Sequence, residues 1–576
     1  MKAYEKEYQR WCSSEALTEE ERSELLTIAD KEEEKELRFS SLMDFGTAGL
    51  RSTMYLGTAN MNRFTVAQTT RGIANLVKLR GGEYRGVAIC YDSRNNSEAF
   101  AKISASVLAG AGIKVYIFDS LRPTPELSFA VRHLNTLAGI NITASHNPKE
   151  YNGYKAYWED GAQLAPEQAK IVSDERAKFD VLDLSGIMDF EEAKNKGLIE
   201  VLSTDFDEIY LSNVLKTMSN PDAVRDVADE LKVVYTPLHG AGHKLVPEIF
   251  KKVGLNYLYT VPEQMVIDGN FPTVAKPNPE YKEVFELGIK IADEVGSDLV
   301  IATDPDSDRV GVMTRTKDGS FMTISGNQMG ALLLDYVITQ KKALGTLTKN
   351  AYCVKSIVST EMANKIAEEN GIVIHGVLTG FKFIGEVIKN YEARGEEDGF
   401  LLGFEESYGY LLGTYARDKD AVGASMSILE MTAYYKKQGL TLSDALDKLY
   451  KKYGFFAEKT IDIYMEGLDG IERRKKVMSS LRDNTPTAFG EYTVEKAIDY
   501  KANTVTELKT GKVEVLGEPN SDVLIYVLSS GDKIIVRPSG TEPKIKIYIL
   551  AHDSDKAVLD AKCSLYAERA RKLADI

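Results

Sequence analysis

Short apolar runs alternate with helical segments from about residue 85 onward. Residues 87–91, 114–118 and 138–143 are typical of strands, and residues 97–108 and 126–134 are typical of helices. Strands that alternate with helices form right-handed crossovers, which place the strands parallel in one sheet. The alternation therefore predicts an α/β chain with parallel or mostly parallel sheets.

The same alternation returns between residues 232 and 302 and again between 326 and 450, whereas beyond about residue 465 one predicted helix, at 470–482, is followed by short strands. A chain of 576 residues is also too long for one core. We predict three similar mixed-sheet α/β domains and a smaller C-terminal α+β domain. The predicted domain bounds are 1–205, 206–323, 324–460 and 461–576.

The composition excludes some classes of binding partner and favours one cellular compartment. The formal net charge of −15 argues against binding to nucleic acid or to an anionic membrane. The four cysteines are scattered, which favours a reducing compartment over a disulfide framework. No segment reaches the roughly 18 apolar residues of a membrane span, and the amino terminus is polar and acidic, unlike a signal peptide. We expect a cytoplasmic protein, either a monomer or a weak homodimer.

A serine follows the third of these strands. Ser145 lies within the segment Thr-Ala-Ser-His-Asn-Pro at 143–148, where open α/β sheets carry their reactive groups. The segment lacks the G-x-S-x-G pattern of hydrolases, and the adjacent His146 does not by itself form a catalytic dyad with the serine. Lys155, ten residues on, could return to the same place. The alternative is a helix-capping serine in an ordinary turn.

Three aspartates follow another apolar strand. Asp304, Asp306 and Asp308 occupy alternate positions, so in an extended loop their carboxylates would project to one side. Hard oxygen ligands without His or Cys favour Mg²⁺. An EF-hand is excluded, because its required Gly and Glu positions hold Arg309 and Arg315. A solvated acidic turn and an aspartyl-phosphate enzyme both remain open on local sequence.

A third motif spans residues 537–544 between two predicted strands. Gly540 would let backbone amides converge on an anion, Ser539 and Thr541 add hydroxyl donors, and Arg537 adds a planar fork suited to phosphate. No Walker A sequence occurs, so an ATP-binding P-loop is not expected. An ordinary hairpin turn has a similar composition and is the alternative.

Two further loops follow apolar strands in the third predicted domain. Glu405 and Ser407 are two residues apart and could both offer acceptors to sugar hydroxyls. Thr379 and Gly380 begin the other loop, which runs to Lys382. A helix cap is the alternative for each loop.

The order and spacing of these motifs resemble the α-D-phosphohexomutase superfamily, and within it the phosphoglucomutase-2/phosphopentomutase branch. The resemblance covers nearly the whole chain, from the segment at 45–51 to the segment at 537–544. It implies four domains around a central cleft, with Ser145 as a phosphoserine that shares one Mg²⁺ with the three aspartates. The remaining site residues that it implies for substrate or catalysis are Thr47, Arg51, His146, Lys155, Arg309, Thr379, Gly380, Glu405, Ser407, Arg537, Ser539, Gly540 and Thr541.

The implied reaction interconverts glucose 1-phosphate and glucose 6-phosphate, with glucose 1,6-bisphosphate as intermediate and activator. Phosphorylated Ser145 would transfer its phosphoryl group to the sugar, and Lys155 or Arg51 would handle the hydroxyl proton. Some relatives carry a histidine in the sugar loop where this chain has Tyr408 and Gly409, which weakly favours a glucose over a mannose phosphate. Phosphopentomutase, phosphomannomutase, a sugar-bisphosphate synthase and a catalytically silent sugar-phosphate binding protein are the alternatives.

Overall fold

The computed structural model describes residues 2–46, 49–465, 470–539 and 544–574. These residues form four β-sheets in chain order, each packed with helices. We refer to each sheet with its helices as the first to fourth domain. Within the described residues, no helix is both long and apolar enough to cross a membrane.

The first domain is a six-stranded mixed sheet in the order β1-β5-β4-β2-β3-β6. Strands β2, β3, β4 and β6 are mutually parallel, and β5 runs antiparallel to its neighbours β1 and β4. Its elements are α1 (Ala3–Cys12), α2 (Glu19–Leu26), α3 (Glu32–Phe39), β1 (Leu50–Thr53), α4 (Arg63–Leu79), β2 (Val87–Tyr91), α5 (Ser97–Gly110), β3 (Val115–Phe118), α6 (Thr124–His133), β4 (Ala138–Ile142), β5 (Tyr151–Trp158), α7 (Pro166–Arg176), α8 (Phe190–Asn195), β6 (Ile199–Leu202) and α9 (Thr204–Leu215).

The second domain has five strands in the order β11-β10-β9-β7-β8, with parallel pairing among β7, β8 and β9 and antiparallel pairing beyond β9. Two 3₁₀ turns, Arg225–Val227 and Lys282–Phe285, accompany it. Its elements are β7 (Lys232–Thr236), α10 (Gly242–Val253), β8 (Tyr257–Thr260), α11 (Pro262–Met265), α12 (Glu286–Val295), β9 (Leu299–Thr303), β10 (Val310–Arg315) and β11 (Phe321–Ile324).

The third domain repeats this mixed pattern with four strands in the order β13-β12-β14-β15, of which only the β14–β15 pair is antiparallel. Its elements are α13 (Gly326–Ala343), β12 (Tyr352–Ser356), α14 (Met362–Asn370), β13 (Val373–Val377), α15 (Phe381–Glu392), a 3₁₀ turn (Glu397–Gly399), β14 (Phe400–Glu405), β15 (Gly409–Leu411), α16 (Ala421–Lys437) and α17 (Leu442–Tyr453).

The fourth domain is an antiparallel sheet in the order β16-β23-β22-β21-β18-β19-β20, with β17 paired to β18. Its elements are β16 (Phe455–Tyr464), α18 (Gly470–Asp483), β17 (Ala488–Phe489), β18 (Tyr492–Asp499), β19 (Thr504–Glu507), β20 (Val513–Val515), β21 (Leu524–Leu528), β22 (Lys533–Pro538), β23 (Lys544–Asp553), α19 (Lys556–Arg571) and a final 3₁₀ turn (Lys572–Ala574).

These sheets match the predicted fold class of three mixed α/β domains followed by a C-terminal α+β domain. β16 crosses the predicted boundary at residue 460 and pairs with β23 along its whole length. The predicted domain bounds stay a prediction. Sequence analysis also missed β1 and β5, because β5 is a polar-containing strand rather than a plain apolar run.

The cores distinguish the first three domains from the fourth. One large apolar cluster runs through the first, second and third domains, and includes Phe129, Phe250 and Leu429. The fourth domain has its own core around Tyr526 and Ile547, and meets the third domain through a smaller cluster. A domain with a separate core and a limited interface can move relative to its neighbours.

Candidate active site

Ser145 stands in a tight loop just beyond the carboxyl end of β4. Its backbone has a φ of +51°, a left-handed conformation that is uncommon outside glycine and occurs often at functional sites. The Thr143 hydroxyl accepts a hydrogen bond from the Ser145 amide at 2.8 Å. The Ser145 side chain is buried, and its Oγ donates to Asp304 Oδ2 at 2.6 Å.

Arg94 holds this loop in place through hydrogen bonds to its backbone. It follows β2, the neighbour of β4 in the sheet, and is buried against Asp92 at 3.3 Å. Its guanidinium donates to the carbonyl oxygens of Ser145 at 2.6 Å and of Tyr151 at 3.0 Å. The Arg94 fork thus fixes both the start and the end of the serine loop, which holds the hydroxyl in a defined position.

The aspartate loop between β9 and β10 is a turn and not the extended loop that the sequence predicted. The Ser307 amide donates to the Asp304 carbonyl at 2.9 Å, and Ser307 has a φ of +53°. The turn nevertheless brings the carboxylates of Asp304, Asp306 and Asp308 together, with one oxygen of each within 4.8 Å of the others. The alternating spacing therefore led to the right cluster through the wrong backbone conformation.

Two lysines contact this carboxylate cluster. Lys155, on β5, lies 2.8 Å from Asp306 Oδ2 and 3.3 Å from Asp308 Oδ2. Lys419, from the third domain, lies 3.1 Å from Asp308 Oδ2. Each contact uses only the Oδ2 atom of the aspartate. The Oδ1 atoms of Asp306 and Asp308 are buried and have no hydrogen-bond partner among the described residues.

The electrostatics of the cluster suit a metal ion. Burial and the neighbouring Asp306 carboxylate raise the pKa of Asp304 well above its ordinary value. Burial also opposes ionisation of Asp308, but Lys419 and Lys155 outweigh it and hold the pKa of Asp308 below its ordinary value. Three clustered oxygen ligands, and two buried Oδ1 atoms without a hydrogen-bond partner among the described residues, together fit a hard divalent metal ion.

His146 and Arg51 both contact the loop that carries the serine. His146 Nδ1 is 3.1 Å from Ser145 Oγ, and Arg51 donates to Asn147 Oδ1 at 2.9 Å. Burial and the nearby Arg309 guanidinium lower the pKa of His146 well below its ordinary value. The imidazole is therefore neutral near pH 7.

Arg309 follows the aspartates and is held away from them by a glutamate. Its guanidinium donates to Glu280 Oε1 at 2.7 Å, whereas its Nε lies 3.9 Å from Asp308 Oδ1. Although burial opposes its charge, Glu280 and Asp308 raise the pKa of Arg309 above its ordinary value. A permanent cation thus stands at the edge of the aspartate loop.

The two predicted sugar loops contact each other in the third domain. Glu405 Oε1 accepts a hydrogen bond from the backbone amide of Gly380 at 2.8 Å, and Thr379 and Ser407 are half-buried in the same loops. Tyr408 has a φ of +67°, and its carbonyl accepts from the Val310 amide at 3.1 Å. That bond docks the sugar loop directly onto the end of the aspartate loop.

The predicted phosphate loop is described only in part. Arg537 donates to the Tyr548 hydroxyl at 3.3 Å, and the Ser539 amide donates to the Lys544 carbonyl at 2.8 Å. Both residues are half-buried at the end of β22 in the fourth domain. The predicted residues Gly540, Thr541 and Thr47 lie outside the described residues.

Sequence analysis missed Lys419, Arg94 and Thr124, which all contact the site. Lys419 belongs to the segment Arg-Asp-Lys-Asp at 417–420, four charged residues directly before the buried helix α16, and all four are buried. A charged run at that position was the signal available for Lys419. The position of Arg94 directly after a predicted buried strand could have indicated a site residue. No local sequence pattern indicated a functional role for Thr124.

The domain models of one protein family match this chain in order. They are described as phosphoglucomutase/phosphomannomutase alpha/beta/alpha domains I, II and III and the C-terminal domain, and they match residues 42–180, 208–319, 325–453 and 501–562. The chain belongs to the phosphoglucomutase/phosphomannomutase family. The expected membership of the α-D-phosphohexomutase superfamily and the expected mutase activity are confirmed.

Individual members of the family agree with this assignment. A protein from Staphylococcus saprophyticus named phosphoglucomutase is 38% identical over 520 residues, which cover 90% of this chain and 92% of that protein. The structure of parafusin, a Paramecium phosphoglucomutase, covers 93% of this chain and 95% of its own with a TM-score of 0.68 at 17% identity. N-acetylphosphoglucosamine mutase from Aspergillus fumigatus, solved with GlcNAc-6P and magnesium, matches over the full length of both chains with a TM-score of 0.51 at 12% identity.

Proposed function

We propose that this protein is a phosphoglucomutase that interconverts glucose 1-phosphate and glucose 6-phosphate through a phosphorylated Ser145, with glucose 1,6-bisphosphate as intermediate. The observation that carries the proposal is the 2.6 Å contact between Ser145 Oγ and the three-aspartate cluster. A hydroxyl there can hold a phosphoryl group next to a metal ion. The name of the Staphylococcus relative supports glucose phosphate as the substrate.

Asp304, Asp306 and Asp308 would hold one Mg²⁺ together with an oxygen of the serine phosphate. When bound, the metal ion would offset negative charge on the transferring group and so lower the barrier to transfer. The Oδ1 atoms of Asp306 and Asp308, which have no hydrogen-bond partner in the described part of the chain, support this ligand set. The magnesium in the Aspergillus mutase structure is consistent with the same choice of ion.

The proposed reaction exchanges one P–O bond for another. The attacking sugar hydroxyl forms a bond to phosphorus as the bond from phosphorus to Ser145 Oγ breaks, and the proton lost by the sugar is regained on Oγ. His146 Nδ1, 3.1 Å from Oγ, would hydrogen-bond the serine oxygen during this exchange. The second half of the cycle runs the same step in reverse, from the other phosphate of the bisphosphate.

Lys155 suits an electrostatic role better than the role of general base. Burial opposes its charge, but the carboxylates of Asp306 and Asp308 outweigh it and raise the pKa of Lys155 above its ordinary value. A protonated lysine cannot accept the sugar proton, yet its charge stabilises a phosphoryl group in transfer. We therefore assign Lys155 and Lys419 as fixed cations of the site.

The remaining predicted residues would bind the substrate. Glu405 and Ser407 would accept bonds from sugar hydroxyls, and Gly380 would keep Glu405 in place. Arg537 and Ser539 would bind the phosphate that is not transferred. Because the fourth domain has its own core, it could close over the sugar and exclude water from the phosphoserine.

Isomerisation assays on three sugar phosphates test the proposed substrate. Purified protein, primed with glucose 1,6-bisphosphate and Mg²⁺, is given glucose 1-phosphate, mannose 1-phosphate or ribose 1-phosphate, and product is followed by ³¹P NMR. We expect the highest kcat/KM for glucose 1-phosphate. A higher value for mannose 1-phosphate or ribose 1-phosphate would make the protein a phosphomannomutase or a phosphopentomutase instead.

A further inference from the structure

Asp306 belongs to the second domain but is held by a residue of the first. The Thr124 backbone amide donates to the Asp306 carbonyl at 2.8 Å, and the Thr124 hydroxyl donates to Asp306 Oδ2 at 2.9 Å. Both residues are fully buried. One threonine thus fixes the main chain and the side chain of the same aspartate across a domain interface.

The direction of these hydrogen bonds follows from the donor on Asn141. The amide nitrogen Asn141 Nδ2 lies 2.7 Å from Thr124 Oγ1 and can only donate, so the threonine oxygen accepts there. The single proton of the Thr124 hydroxyl is therefore left for Asp306 Oδ2, to which it donates at 2.9 Å. Asn141 is also fully buried.

We call the two hydrogen bonds from Asn141 through Thr124 to Asp306 the relay. The relay begins on β4, the strand that precedes the serine. Asn141 lies on β4, four residues before Ser145, and pairs in register with Lys155 on β5. The strand of the reactive hydroxyl, the strand of the lysine and the start of α6 therefore converge on one carboxylate. The relay couples the position of the first-domain sheet to the orientation of Asp306.

Capping of α6 does not account for the threonine hydroxyl. The residue before the helix is Pro123, which offers no side-chain cap, and the hydrogen bonds of Thr124 Oγ1 go to Asp306 and Asn141 and not to an amide of the helix. The hydroxyl points out of its own domain. Its contact with Asp306 occupies Oδ2. Oδ1, which has no hydrogen-bond partner among the described residues, is left to face a metal ion.

We infer that Thr124 and Asn141 are positioning residues for the metal site, and that the Thr124 hydroxyl orients Asp306 so that its Oδ1 faces the ion. The inference rests on the metal site of the proposed function. Outer partners of this kind are worth about 10- to 100-fold in metal affinity or activity. The loss of the hydroxyl should therefore weaken metal binding without altering the sugar site.

Four variants separate this role from a packing role. Thr124→Val removes the hydroxyl at nearly constant shape, and Thr124→Ser keeps it. Asp306→Asn removes the proposed ligand itself. Thr69→Val is the matched control, because Thr69 is also fully buried and its hydroxyl, among the residues that the structure describes, bonds only the Thr65 carbonyl within α4.

Binding of Mn²⁺ to the unphosphorylated protein, measured by electron paramagnetic resonance without sugar, is the main readout. We expect Thr124→Val to weaken Mn²⁺ binding by about 10- to 100-fold, and Thr124→Ser and Thr69→Val to bind as the unaltered protein does. In turnover assays, Thr124→Val should lower kcat and leave the KM for the sugar phosphate unchanged.

Two outcomes would overturn the inference, and they differ from each other. If Asp306→Asn loses Mn²⁺ but Thr124→Val binds it as tightly as the unaltered protein, the metal site stands and the relay is wrong. If Asp306→Asn also binds normally, the metal site of the proposed function fails, and the relay fails with it. Should Thr124→Val not fold, Asn141→Leu decides: we expect a loss of at least about threefold in Mn²⁺ affinity, and unchanged affinity refutes the relay.

Discussion

Ser145 Oγ and Asp304 Oδ2 lie 2.6 Å apart although they belong to different domains. Ser145 lies three residues beyond the end of the central strand β4 of the first sheet, and Asp304 directly follows β9 of the second. The carboxyl ends of the two strands thus face each other. The third domain completes the arrangement, because the Ala421 amide donates to the Ser307 carbonyl at 3.2 Å and Lys419 reaches Asp308.

Replacing Lys419 by Met should damage both stability and activity. Lys419 is buried between Asp308 and Asp418, and its removal takes one cation from each of these buried carboxylates, so that Asp308 keeps Lys155. Breaking a buried pair costs about 3–5 kcal/mol of unfolding free energy. Because Lys419 helps to hold the pKa of Asp308 low, the acid limb of the pH–kcat profile should also move to higher pH.

Chemical denaturation and a pH–rate profile check the Lys419→Met prediction. Lys437→Met is the control, because Lys437 forms an exposed ion pair with Asp226 and should change stability by less than about 1 kcal/mol. An unshifted acid limb in Lys419→Met would show that Lys419 does not control the charge of Asp308.

Replacing Arg537 by Ala should weaken substrate binding and spare the phosphoserine. Arg537 is half-buried in the fourth domain, beside Tyr548, and would grip the non-transferring phosphate. The loss of a charge-assisted contact of about 1.5–3 kcal/mol corresponds to roughly 10- to 100-fold in KM for glucose 1-phosphate. Arg537→Lys should recover only part of the loss, because lysine lacks the planar fork.

Steady-state kinetics and the phosphate content of Ser145 check the Arg537 prediction together. We expect phosphorylation by glucose 1,6-bisphosphate at saturating concentration in both variants. An Arg537→Ala protein with an unchanged KM would remove this residue from the substrate site.

Much of the fold and of the site could be predicted from the sequence, for a physical reason. The buried strands β2, β4 and β9 are mostly apolar runs, and Ser145 and Asp304 follow such runs within three residues. Local sequence therefore marked both the strands and the reactive ends. Mixed strands such as β5 gave no such signal, so the place of Lys155 on a strand was missed.

Contacts between domains could not be predicted from the sequence. Thr124 and Lys419 reach the aspartates from the first and third domains, and no local pattern states which distant carboxylate a threonine or a lysine will meet. The left-handed backbone of Ser307 was also unexpected, because serine rarely adopts it. The surrounding domains impose that turn through tertiary contacts.

The carboxyl group of Glu430 should make stability depend on pH. Glu430 on α16 accepts hydrogen bonds from the Asn220 amide at 2.7 Å and the Tyr336 hydroxyl at 2.8 Å, and burial raises its pKa to about 7. A raised pKa stabilises the fold fully below the unfolded pKa of about 4.5, and this stabilisation disappears as the pH rises towards 7. Glu430→Gln keeps the acceptor oxygen without a titrating proton.

Urea unfolding at pH 5 and pH 8 measures this contribution. Between these pH values the unaltered protein should lose about 2–3 kcal/mol more unfolding free energy than Glu430→Gln. An equal pH dependence in the two proteins would show that Glu430 titrates normally in the folded state.

Phosphate on Ser145 tests the central claim most directly. The protein and its Ser145→Ala variant are incubated with glucose 1,6-bisphosphate and Mg²⁺, and intact mass, peptide mapping and turnover are measured on the same samples. The account predicts about 80 Da of added mass on the peptide that contains Ser145, stable to hydroxylamine, and a loss of more than about 10⁴-fold in kcat in the variant. A hydroxylamine-labile phosphate on an aspartate, or full turnover without the serine hydroxyl, would contradict it.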